Sequence, residues 1–198
     1  MSHTTTATVI SIDSSVQQPP ARRSFRPWWR WLLVAVAFPV AGEIGHLVAG
    51  RVDSVSAAVL GGVVTGAGIG AAQWALLRPR GVGVGWIAAT AAGLGAGLAV
   101  GSALVSYRTD ITSLVVMGAV SGLGVGLAQG TMLGDTKRML GWTVATAALW
   151  AVGWSVTTAG GISVDQQFVV FGAYGAITST FLQSIIIGSF IPARAVKS

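Results

Sequence analysis

The sequence predicts an all-α membrane protein with six transmembrane helices, arranged as three related hairpin units in a pseudo-threefold bundle. Three observations predict it. Hydrophobic residues make up 53% of the 198 residues and charged residues only 9%, against roughly 25% charged in a typical soluble domain. The apolar residues fall into six runs of spanning length. A glycine-rich phrase, "TGAGIGAAQW" from Thr65, returns as "SGLGVGLAQG" from Ser121.

Residues 1–27 are polar and rich in Thr, Ser, Gln and Pro, without apolar periodicity, and read as a disordered tail. The six runs then cover roughly 28–50, 55–77, 82–106, 111–133, 140–160 and 167–191, so the membrane domain is 28–191 and 192–198 is a short C-terminal tail. A bilayer core needs about 20 apolar residues per helix. Backbone groups in hydrocarbon must be bonded internally, so the runs should be helical. Asp53 and Asp110 each precede a run, where a carboxylate caps the first turn. Together with Asp165 they could instead form an acidic ring at one end.

The linkers carry the orientation. If six helices alternate, ten of the 12 Lys and Arg lie at one end: Arg22, Arg23, Arg26, Arg30, Arg78, Arg80, Lys137, Arg138, Arg194 and Lys197. Arg51 and Arg108 lie at the other. The positive-inside rule then puts both termini on the cytoplasmic side of the inner membrane. Trp28, Trp29, Trp31, Trp74, Trp86 and Trp142 cluster near the same end, as an interfacial belt would. The stretch "ARRSFRP" has twin-arginine character. Glu43 and His46 interrupt the apolar segment after it and no clear A-x-A cleavage site follows, so it reads as an inside-facing anchor rather than an export signal.

The repeat extends beyond its opening phrase. Gly66, Gly70, Gln73, Trp86, Thr90 and Gly97 align without a gap on Gly122, Gly126, Gln129, Trp142, Thr146 and Gly153. The unit is a helix, a basic turn and a second helix opening on Trp. A third copy is split across the ends, with Gly175 and Thr178 at the Gly70 and Gln73 positions, and Trp31 and Gly42 at the Trp86 and Gly97 positions. Three such units predict a ring. The pattern resembles a group of bacterial multi-pass membrane proteins built on a repeated G-x-x-x-G-x-x-Q-W-x-x-L-R … W-x-x-x-T hairpin. "GIGAAQWALLR" follows that pattern, while "GVGLAQGTMLG" departs at Gly130 and Gly134. The resemblance covers most of 28–190 and implies architecture rather than activity.

A phosphate-binding loop is excluded by spacing. Gly66, Gly68 and Gly70 have the wrong last offset for a dinucleotide fingerprint, no strand precedes them, and no P-loop Lys follows. Packing explains them better. Gly62, Gly66 and Gly70, then Gly93, Gly97 and Gly101, then Gly118, Gly122, Gly126, Gly130 and Gly134 recur every fourth residue. Such stripes lie on one helix face and let backbones approach closely. Gln73 and Gln129 close two of the stripes. Thr90 and Thr146 lie at similar depth, so each hairpin is expected to be locked by a Gln-to-Thr bond, worth about 0.6–2 kcal/mol. Alternatively the glutamines face a cavity and touch a solute.

Glu43 and His46, at i and i+3, are the ionisable residues well inside a span, and could bond each other. Charge at that depth is expensive and marks a candidate site. Their spacing also suits a metal, but no further His or carboxylate lies at that depth, so no metal or other cofactor is expected. There are no cysteines, no Ser-His-Asp set and no paired carboxylates in the membrane, so no enzyme is expected. The net charge of +6 is spread between the runs rather than patched, so no nucleic-acid partner is expected. The sequence therefore predicts a non-enzymatic structural or interaction protein whose surface engages the lipid bilayer or another membrane protein. The alternative is a small-solute binding or transport component using Glu43, His46, Gln73 and Gln129.

Overall fold

The computed structural model describes residues 28–164 and 167–191. The tails at 1–27 and 192–198, the side chains of Trp28 and Trp29, and the proposed acidic position Asp165 lie outside the described residues. A 3-10 turn, Trp28–Leu33, leads into α1 (Val34–Ala49). There follow α2 (Val55–Leu77), α3 (Gly85–Leu104), α4 (Ile111–Gly130), α5 (Thr136–Ala159) and α6 (Ala173–Phe190). All six, α1 together with the end of its 3-10 turn (Arg30–Ala49), are long and apolar enough to cross a membrane, as in a multi-pass membrane protein, and the described residues contain no strand.

Caps set where the helices begin. Ser54, rather than Asp53, accepts from the backbone N–H of Ala57 and starts α2. Asp110 starts α4, accepting from the N–H and the hydroxyl of Ser113 at 3.0 and 2.6 Å. These two bonds, with Arg108 close by, hold the Asp110 carboxyl below its ordinary range. Asp135 accepts from the N–H of Arg138 at 2.9 Å, so α5 begins at Thr136, ahead of the apolar run.

The helices pack in chain order, and α6 closes on α1, so each backbone lies close only to those of its two neighbours in a ring. Glycine stripes make the seams. A Cβ added at Gly66 would lie 2.7 Å from the carbonyl oxygen of Thr90 in α3. One at Gly97 would lie 2.9 Å from Ser121 Cα in α4, and one at Gly126 2.8 Å from Thr143 Cα in α5. No side chain fits there, which is how apolar helices associate without a hydrophobic drive between them. The expected fifth glycine of the α4 stripe is not part of it. Gly134 lies in the turn after α4 with φ +84° and an open surround, so it serves the turn.

The sixth run departs most from expectation. Helix α6 starts at Ala173, and the segment before it is irregular backbone that dips into the ring. Phe171 is fully buried. It stacks on Phe38 of α1 at 5.0 Å and meets Trp150 and Trp154 of α5 edge-on at 5.4 and 6.1 Å. Helices α1 and α5 are not neighbours, so these rings fill the interior. The segment is tied to both turns at its end of the ring. Gln167 accepts from the N–H of Val52 at 3.0 Å and donates from Nε2 to the carbonyl of Tyr107 at 2.6 Å. Irregular backbone is tolerated at such depth only when buried in protein, and Val169, Val170 and Phe171 are.

Candidate functional site: a buried glutamine network

At the opposite end of the ring, beside Arg78, Arg80, Lys137 and Arg138, lie the two predicted glutamines. Gln73 is in the last turns of α2 and Gln129 in the last turn of α4, at 4% and 0% exposure. An amide this deep must find partners. The structure gives them indoles. Trp86 Nε1 donates to Gln73 Oε1 at 2.9 Å, and Trp142 Nε1 donates to Gln129 Oε1 at 3.0 Å. In each case the Trp stands 13 residues after the Gln. An indole N–H can only donate, so each bond fixes which amide atom is oxygen.

The released amide hydrogens of Gln129 then have defined targets. Its Nε2 donates to Gln73 Oε1 at 2.9 Å and to Thr90 Oγ1 at 2.8 Å. The Thr90 hydroxyl in turn donates to the carbonyl of Trp86 at 2.7 Å. The network thus joins α2, α3, α4 and α5. The expected Gln-to-Thr lock within each hairpin is not what forms. Gln73 pairs with Trp86, Thr90 receives Gln129 from the other hairpin, and Thr146 Oγ1 is buried without a partner among the described residues. An indole reaches further than a threonine hydroxyl and wins the amide oxygen.

The tryptophan belt is corrected by the same geometry. Trp86 and Trp142 are fully buried and Trp31 nearly so, so these three point into the ring instead of toward the interface. Trp86 and Trp142 lie 6.0 Å apart, and Phe190 meets Trp142 edge-on at 5.5 Å. Trp74 alone of the described set keeps an outward character, half-buried under the Arg78 guanidinium at 5.6 Å. Sequence reasoning missed a third glutamine. Trp31 Nε1 donates to Gln183 Oε1 at 3.2 Å, whereas Thr178, aligned with Gln73, is only half-buried. The available signal was the pairing of a Gln with a Trp in the two internal copies, since Trp31 holds the Trp86 position and Gln183 is the one glutamine of α6.

Glu43 and His46 do not join this network. They lie in the other half of α1, and no hydrogen bond or ion pair links them among the described residues. Glu43 is exposed on the outer face of the ring. His46 is half-buried, its ring 5.1 Å from that of Phe168, with Nδ1 buried and without a hydrogen-bond partner. Between them, a Cβ at Gly45 would collide with Thr65, whose hydroxyl donates to the carbonyl of Ala41 at 3.1 Å. No group of three or more His, Cys, Asp or Glu suited to a metal occurs among the described residues. No protein-family model, curated protein or solved structure matches the chain.

Proposed function

We propose that this chain is a non-enzymatic integral membrane protein of structural or interaction type. It sits in a bacterial inner membrane with both termini cytoplasmic, and its six helices form three hairpin units about a pseudo-threefold axis. The observation that carries the reading is that the three buried glutamine oxygens, and the amide hydrogens of Gln129, are taken up within the ring by tryptophans, by the Thr90 hydroxyl and by one another. Gln73 and Gln129 bind Trp86, Trp142 and Thr90, and Phe171 with its aromatic neighbours fills the other half. A transport site would instead leave polar groups directed at a solute. The third pair, Gln183 with Trp31, joins the two ends of the chain and supports the split third unit. The basic residues at the Gln73 end support the orientation, and the resemblance to repeated-hairpin bacterial membrane proteins supports the compartment.

Reconstitution tests the function. Liposomes carrying the chain should take up amino acids, sugars, nucleobases and metal cations no faster than empty vesicles. Saturable uptake of any of them, abolished by Gln129→Leu, would overturn the structural reading in favour of a solute carrier. Reporter fusions at Ser198 and at Tyr107 should report opposite sides, with Ser198 cytoplasmic.

A further inference from the structure

We propose that the outward face of α1 docks a transmembrane helix of a second membrane protein, one that carries a lysine or arginine at the depth of Glu43. The inference rests on the interaction reading above and names its partner class.

Glu43 is the only acidic residue within any of the six helices. It lies two turns before Gly50, roughly 10 Å along the axis from the end of α1, too deep for a short carboxylate side chain to reach the headgroups. It is exposed, and neither His46 nor any other described residue pairs with it. An unpaired carboxylate facing hydrocarbon is costly, and residues of this kind almost always turn to a bundle interior or to a partner. Here the ring interior is closed to it by Phe38, Gly42 and Gly45, which occupy the inward face of the same helix.

The residues around Glu43 have the form of a helix-docking seam. Val36, Val40, Glu43 and Leu47 follow one another at spacings of four, three and four, so they share one stripe. Val36, Val40 and Leu47 are 62%, 55% and 74% exposed. This is the spacing that lets a second helix pack knobs into holes at a shallow angle. Charge complementarity decides the occupant. A second copy of this chain in parallel would bring another carboxylate to the same depth, and its helices carry no Lys or Arg there. A foreign helix with a basic residue at that level neutralises Glu43 with a charge-assisted bond in a medium that strengthens it.

The test uses the full chain in phosphatidylcholine liposomes with synthetic single-span Leu/Ala helices labelled for energy transfer. One helix carries a lysine at the matched depth and the other an alanine. The lysine helix should associate and the alanine helix should not. Glu43→Gln should weaken the association about five- to tenfold, the range of a strong interhelical polar contact, while leaving thermal unfolding unchanged. Leu47→Ala should weaken it less. Equal transfer from both helices, or no loss in Glu43→Gln, overturns the docking surface. A dimer of the chain itself that disappears in Glu43→Gln assigns the face to a second copy and also overturns it. A pH-sensitive dye trapped in the same vesicles keeps the two readings apart. Proton flux that depends on Glu43 would overturn the structural reading itself, whereas loss of peptide association alone would leave that reading standing.

Discussion

Gln129 in α4 donates from Nε2 to Oε1 of Gln73 in α2, 2.9 Å away, although α3 stands between the two helices in the ring. The bond therefore crosses the interior. It couples the two hairpins directly, beyond the glycine seam that joins α3 to α4. Its geometry is fixed from behind by two indoles, which take the amide oxygens and leave Gln129 hydrogens facing Gln73 and Thr90.

Loss of these amides should be graded by bonds lost. Gln129→Leu removes bonds to Trp142, Gln73 and Thr90, Gln73→Leu removes those to Trp86 and Gln129, and Gln183→Leu removes only that to Trp31. At about 0.6–2 kcal/mol per interhelical bond, thermal unfolding in detergent should rank Gln129→Leu as the most damaging and Gln183→Leu as the least. The double variant at 73 and 129 should be milder than the sum, because the two share a bond. Additive losses would mean that the network does not act as a unit.

Gly126→Leu should abolish folded protein in detergent, since its Cβ would lie 2.8 Å from the Thr143 backbone. The control position matters. Gly81 looks harmless in a basic turn, but its φ is +90°, so Gly81→Leu carries backbone strain of about 1–3 kcal/mol. Gly83 has nothing within reach of a Cβ and no positive φ. Gly83→Leu should be silent, Gly81→Leu intermediate and Gly126→Leu severe, read as yield of monodisperse protein. Equal effects at all three would reduce glycine here to composition.

The plug before α6 predicts a large core effect. Phe171 touches Phe38, Trp150 and Trp154 at the centre of the ring. Phe171→Ala should cost about 3–5 kcal/mol and raise hydrogen exchange at Val52 and Gln167, which the plug ties together. Undisturbed exchange at those amides would show that the segment does not hold that end of the ring closed.

These elements show what was legible in the sequence. The six runs and the glycine seams could be read because hydrophobic length and i+4 spacing are one-dimensional signals. The plug could not, because Val169, Val170 and Phe171 are apolar for burial in protein, and hydropathy does not separate that from burial in lipid. The same ambiguity misplaced the tryptophans. Trp86 and Trp142 occur near a helix end, where an interfacial role and an inward one share a sequence position. The direction of a side chain around the helix decided between them. Gln73 and Gln129 were legible as a polar pair in oil, but their partner was set by reach across the ring.

Asp110 offers a pH test at the surface. Its carboxyl is held below the ordinary range, first by the Ser113 hydroxyl, then by the Ser113 N–H. A depressed folded-state value contributes stability that is present above the unfolded value and is lost as pH falls through the folded one. Asp110→Asn should therefore differ from the parent by a constant small amount at neutral and mildly acidic pH, with the gap closing only in strong acid. A gap that opens on acidification instead would reverse the assignment.

Glu43 and His46 should act independently of each other. Their spacing suggested a bonded pair, but one is exposed on the outer face while the other packs on Phe168 with Nδ1 buried and unbonded. Two residues that do not touch should not couple. His46→Ala should destabilise the chain by removing the contact with Phe168, whereas Glu43→Gln should leave detergent stability unchanged, because its carboxylate has no described partner to lose. The double variant should equal the sum of the singles within about 0.3–0.5 kcal/mol, the usual limit for independent sites. His46→Phe separates packing from hydrogen bonding, because it keeps an aromatic ring beside Phe168 and removes the orphaned nitrogen. It should match or exceed the parent in thermal unfolding, since a buried unpaired polar atom is itself a cost. A coupling energy well above the additive limit would mean that His46 and Glu43 share a bond, and a His46→Phe variant as damaged as His46→Ala would mean that the imidazole nitrogens have a partner.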